Sequence, residues 1–214
     1  MRSLDPPGFP ATRLSAAVRR ACPAILLCFI AAMPAGARAG ERKVWDSGPY
    51  SFSDELGGFR IRGVSGRGTH DDPIILFEEL ESATPVTLTI RAIRPIRPFD
   101  GSGEYVSGIM YMHVKALNGS GQPWVEFEFE LQEILGQPSV FGDGLSFDQR
   151  NKIPENTGAS DFAAFSREFE PYDRLLFKDG KVDPLKTAEF EFLVTDYTPR
   201  WTFYIVQDPR IPSS

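Results

Sequence analysis

Thiols are nearly missing from this chain. Its 214 residues include two cysteines, Cys22 and Cys28, both within the first 39 positions. From residue 40 onward there are none, which excludes a cysteine nucleophile, a disulfide framework and thiolate metal ligation in that part. Histidine is as scarce: His70 and His113 stand far apart in sequence and define no transition-metal site by spacing. No Gly-x-Ser-x-Gly elbow and no phosphate-cradling glycine loop occurs. The sequence therefore predicts no metal and no cofactor. Positive charge is short as well. Residues 40–214 carry 18 basic and 28 acidic side chains, a net charge near −10, which opposes binding to nucleic acid and nonspecific binding to anionic lipid.

Long apolar runs are limited to one. It extends from Ala21 to Ala35, is broken by Pro23 and Pro34, and falls short of the roughly 20 residues that cross a bilayer. Arg13, Arg19 and Arg20 precede it, and Ala37-Arg38-Ala39 follows with small residues where a signal peptidase cuts. That order is the pattern of an export leader. The expectation is a cleavable signal peptide over 1–39, no retained transmembrane helix, and a protein that is periplasmic or secreted. Arg19-Arg20 leaves Sec and twin-arginine export both open. The remaining 175 residues suffice for one domain, 40–214.

What is present is alternation with period two. In Val125-Glu126-Phe127-Glu128-Phe129-Glu130-Leu131 every second side chain is apolar and the others are carboxylates, so one face of a strand is buried and the other is wet. The same pattern runs through Val86 to Ala92, Met110 to Ala116, Ala188 to Val194, and Trp201 to Ile205. Further strands are expected at 58–64, 73–80 and 172–177. Ser160 to Phe169 is either a short helix or an irregular strand, and 136–158 reads as a long polar loop. Turn signals such as Asp100-Gly101-Ser102-Gly103 and Asn118-Gly119-Ser120-Gly121 separate the runs. The fold class predicted is all-β: a single antiparallel β-sandwich, jelly-roll or immunoglobulin-like, of about eight strands. Phe127, Phe129, Phe190, Phe192, Trp201 and Phe203 are placed in its core.

The sharpest local expectation is a hairpin in which Tyr105–Leu117 pairs with Trp124–Leu131 across Asn118-Gly119-Ser120-Gly121. Parity then puts Tyr111, His113 and Lys115 on the solvent face beside Glu126, Glu128 and Glu130. Such a face either binds a ligand, with Tyr111 as a platform for a sugar ring, or is an outer surface of paired charges. A lyase reading would use Tyr111, His113, Lys115 and Arg91 against an acidic sugar, and the neighbouring glutamates oppose it. Carboxylate pairs suited to a glycosidase arise too easily among 28 acids to carry weight. Arg91, Arg94 and Arg97 recur every third residue among Pro95 and Pro98; in polyproline II they would align as an anion-binding ridge. Asp71-Asp72, Asp100 with Glu104, and Asp143 with Asp148 are weighed as calcium ligands or turn residues. The function expected is a non-catalytic exported module that binds a glycan or an envelope protein. A polysaccharide lyase or glycosidase, or a purely structural envelope protein, are the alternatives.

Overall fold

The computed structural model describes residues 43–149, 153–167 and 171–212, all within the unit Ala39–Ser214. The leader expected over 1–39, with both cysteines, lies outside the described residues. Among the described residues thirteen strands follow one another: β1 Trp45–Ser47, β2 Tyr50–Ser53, β3 Phe59–Ser65, β4 Ile74–Leu80, β5 Val86–Ala92, β6 Ile109–Asn118, β7 Glu126–Gln132, β8 Leu145–Phe147, β9 Gly158–Ala159, β10 Phe162–Ser166, β11 Arg174–Gly180, β12 Thr187–Asp196 and β13 Thr202–Arg210. The one helical segment among the described residues is a single 3₁₀ turn, Pro154–Asn156. No helix there is long and apolar enough to cross a membrane.

The strands form two sheets. One has the order β1-β2-β5-β13-β7-β11-β10, the other β3-β4-β6-β12-β8, with β9 also on β12. This corrects the expectation of about eight strands, all antiparallel. The long loop at 136–158 contributes β8, β9 begins at its end, and β4 runs parallel to β6. Among the described residues of 160–169, Phe162–Ser166 form the strand β10, and no α-helix occurs.

Alternating apolar side chains from both sheets meet in one core. Phe127 and Phe129 of β7 face Phe190 and Phe192 of β12, with ring centroids 4.6 Å apart for Phe127 and Phe190 and 4.8 Å for Phe129 and Phe192. Phe203 is buried with them. Trp201 is not; it precedes β13, beyond the end of the core, and is 61% exposed. Parity held for the strand proper and failed one residue before it began.

The expected hairpin does not form. β6 lies between β4 and β12 in one sheet, and β7 lies between β13 and β11 in the other. The buried Asn118 explains the crossing: its amide donates to the carbonyls of Gln122 (2.8 Å) and Val182 (3.0 Å), and its Oδ1 accepts from the Ser120 N–H at 3.1 Å. Trp124 is fully buried at the far side, donating Nε1–H to Ser120 Oγ. An Asx-type turn pinned from inside thus carries the chain across the core. Consequently Tyr111, His113 and Lys115 sit on the outer face of one sheet and Glu126, Glu128 and Glu130 on the outer face of the other. Nor is Glu128 wet: it is 6% exposed, covered by Arg174 (3.8 Å) and Arg210 (2.7 Å).

Candidate functional site

Registers fix what surrounds Tyr111, His113 and Lys115 on β6. β12 places Leu193, Glu191 and Glu189 directly opposite them in that order, and β4 places Ile75 and Phe77 beside His113 and Lys115. The polar members are tied together. His113 Nε2 lies 2.9 Å from Glu189 Oε2, and Lys115 Nζ donates to Glu189 Oε1 at 3.0 Å. The ammonium of Lys115 bonded to Glu189 holds its carboxyl below the usual range, with burial opposing and His113 adding to the effect. His113 Nδ1 faces Glu191 Oε1 at 3.9 Å.

Two loops turn this strip into a hollow. The connection from β3 to β4 is closed by Asp72, whose carbonyl accepts from the N–H groups of Arg67 (3.0 Å) and Gly68 (2.9 Å). The Gly68 carbonyl then accepts from the Tyr111 N–H at 3.0 Å, which docks the loop on β6. Gly66 makes this approach possible: at φ +92° a β-carbon there would fall 1.8 Å from the Pro73 carbonyl oxygen. The loop tip sets the His70 ring edge-on to Tyr111, centroids 5.2 Å apart. On the other side the buried Asp148 holds the 3₁₀ turn, its Oδ2 accepting from the Ile153 N–H (2.7 Å) and from Asn156 Nδ2 (3.3 Å). That turn presents Glu155 and Asn156.

The result is a cleft of about 240 Å³ walled by His70, Tyr111, His113, Glu155, Asn156 and Glu191. A second hollow of about 310 Å³ adjoins it, walled by Tyr50, Arg67, Phe99, Asp100 and Tyr105. His70 and Tyr111 belong to both.

Of the residues singled out in the sequence, the structure gathers Tyr111, His113 and Lys115 on one face. It does not bring the arginines to them. Arg91 lies on β5 in the other sheet, paired with Glu55. Arg94 is exposed and has no ion pair among the described residues. Arg97 lies over the ring of Tyr105, 3.7 Å from its centroid, and its N–H donates to the Val106 carbonyl at 2.8 Å, in a parallel bridge between Ile96 and Val106. The lyase constellation that included Arg91 is therefore not assembled.

Glu189, Glu191, Glu155 and Asn156 were not identified from the sequence. Alternation with Phe190 and Phe192 marks the first two as outward-facing, but only pairing with β6 places them beside His113. The two histidines, separate in sequence, line one cleft.

The acidic loop groups act within turns. Asp100 caps the Ser102 N–H at 2.9 Å, Glu104 pairs with Arg67 at 3.2 Å, and Asp143 accepts from the N–H groups of Val140 (2.9 Å) and Leu145 (3.0 Å). Among the described residues no group of three or more His, Cys, Asp or Glu is arranged to hold a metal ion. No protein-family model matches the chain, and no curated protein and no solved structure matches it.

Proposed function

We propose that the protein is an exported, non-catalytic module that binds a saccharide in the paired hollows on the β3-β4-β6-β12-β8 sheet. One observation carries the reading: two adjoining clefts share the His70–Tyr111 wall. Sugars present apolar C–H faces to aromatic rings and a rim of hydroxyls to carboxylates and amides. Tyr111, with Tyr105 and Phe99 farther along, supplies the rings; Glu155, Asn156, Glu191 and Asp100 supply the polar rim. Two hollows in sequence suit adjacent units of an oligosaccharide. The leader pattern of residues 1–39 supports export.

The test is titration calorimetry against oligosaccharides chosen from a glycan array, with a parallel assay for released reducing ends. Tyr111→Ala should weaken binding at least about tenfold, equivalent to roughly 1.4 kcal/mol, with an unchanged circular dichroism spectrum. An array without hits, or wild-type affinity in Tyr111→Ala, refutes the reading. Turnover that vanishes in His113→Ala refutes the non-catalytic part of it.

A second reading, docking of an envelope protein, has its own observation. The connections 93–108, 133–144, 171–173 and 197–201 leave the same end of the sheets. There they expose a joined row of apolar side chains: Phe99 against Tyr197 at 5.9 Å, the Tyr197 N–H on the Gly144 carbonyl, and Val140 bridged to Tyr172 beside Phe141. Exposed apolar rows of this kind mark contact surfaces. A crosslinker at Phe141 that captures an envelope protein in cells, with a silent glycan array, would favour this reading.

A further inference from the structure

Among the described residues, charge in the first hollow is one-sided. Glu155 and Glu191 line it, and no described lysine or arginine does. The ammonium of Lys115, farther along β6, is bonded to Glu189. Among the described residues the one ion-pair partner of Glu191 is His113, whose Nδ1 lies at 3.9 Å, and the Glu191 side chain is 63% exposed. Glu155 has no ion pair among the described residues. In the second hollow Asp71 and Asp100 stand with Arg67, and Arg97 lies over the Tyr105 ring, so that hollow is more nearly balanced. Arg67 is neutralised in turn by Glu104 at 3.2 Å and Asp72 at 3.8 Å.

We infer that the saccharide bound here is a cationic amino sugar, its ring against Tyr111 and its ammonium group directed to Glu191 and Glu155. This rests on the saccharide reading above and specifies its ligand class. A carboxylate pair open to solvent beside an aromatic ring favours an ammonium in two ways, through charge-assisted hydrogen bonds and through the negative face of the ring. The same carboxylates repel uronates and sulfated or phosphorylated sugars, because desolvating two like charges side by side is unfavourable. A neutral sugar gains the ring contact and the hydroxyl bonds and nothing more. The arrangement therefore discriminates by charge at one subsite while the aromatic wall supplies contact common to all sugars.

The experiment measures affinities of four hexamers of matched length: glucosamine, N-acetylglucosamine, glucose as cellohexaose, and galacturonate. Titrations at about pH 6.5 leave an appreciable share of the amines charged. The glucosamine hexamer should bind at least about fivefold tighter than either neutral hexamer, with the margin shrinking as salt shortens the screening length. Galacturonate should not bind. Glu191→Gln and Glu155→Gln should each cut the preference for glucosamine over the neutral hexamers about threefold, since the amide keeps a hydrogen-bonding group and loses the charge. Tyr111→Ala should weaken glucosamine and neutral hexamers alike. Equal affinity for glucosamine and cellohexaose, still dependent on Tyr111, overturns the amino-sugar inference and leaves the saccharide reading standing. Binding of galacturonate overturns the inference as well. If no hexamer binds, both fall. If spermidine binds as tightly as the glucosamine hexamer and Tyr111→Ala does not affect it, the hollow is a general cation site, and the inference is again overturned.

Discussion

Among single residues, Glu78 is the most unusual. It projects from β4 into the core, fully enclosed, and its Oε2 accepts from Gln207 Nε2 on β13 at 2.9 Å, the two side chains spanning the space between the sheets. Burial raises its pKa to about 8 against the opposing pull of that hydrogen bond, so at neutral pH the folded protein holds it mostly as the uncharged acid. An unfolded chain releases the same proton near pH 4.3. Between these values the folded state binds more protons, so this group's contribution to stability is greatest below about pH 4.3 and declines as pH rises through 8. The slope for one proton is at most about 1.4 kcal/mol per pH unit. Urea melts between pH 5 and 8.5 should show that decline, and Glu78→Gln, which keeps a hydrogen-bonding partner for Gln207, should flatten most of it and exceed wild-type stability at the alkaline end. An unchanged slope in the variant would show that the buried carboxyl is not its source. Glu128, Asp196 and Asp208, whose pKa values burial also raises, account for the remainder.

At the scale of the element, β7 shows how a strand that reads as half wet is in fact covered. Its Glu126, Glu128 and Glu130 are clamped by arginines from the two neighbouring strands: Arg210 of β13 reaches Glu126 at 3.3 Å, Glu128 at 2.7 Å and Asp208 at 3.6 Å, and Arg174 of β11 reaches Glu130 at 2.6 Å. Arg210→Ala should cost about 1–2 kcal/mol, because it uncovers the charge on Glu128. Glu128→Ala should cost less, since Arg210 retains two other carboxylates. The double variant should fall short of the sum of the two; strict additivity in denaturant melts would mean that the clamp contributes no coupling. The sequence of β7 made its faces legible, because period two assigns each side chain a side. It did not make its neighbours legible. Alternation is silent on which strand lies alongside, and the turn signal Asn118-Gly119-Ser120-Gly121 does not close a hairpin because the Asn118 side chain is a buried anchor. The same limit applies to the candidate site: Tyr111, His113 and Lys115 share a face by parity alone, whereas Glu189 and Glu191 join them through a pairing some 75 residues away along the chain. His70 and Glu155 arrive on loops, where no periodicity exists to read.

For the molecule as a whole, the position of β13 has the widest consequence. It follows every other strand in sequence and lies in the middle of the seven-stranded sheet, with β5 on one side and β7 on the other. A variant ending before Thr202 should therefore lose its fold outright, with amide protons throughout both sheets exchanging freely; protection that persists in β5 and β7 would contradict this. A ribosome makes the chain in the opposite order of need. Until residues 202–210 emerge, Leu88 and Leu131 lack the Ile205 that lies between them, and the sheet is two fragments without a seam. Closure of that sheet therefore waits for residues 202–210, and until they are made the strands on either side of the gap have no shared partner to lock their register.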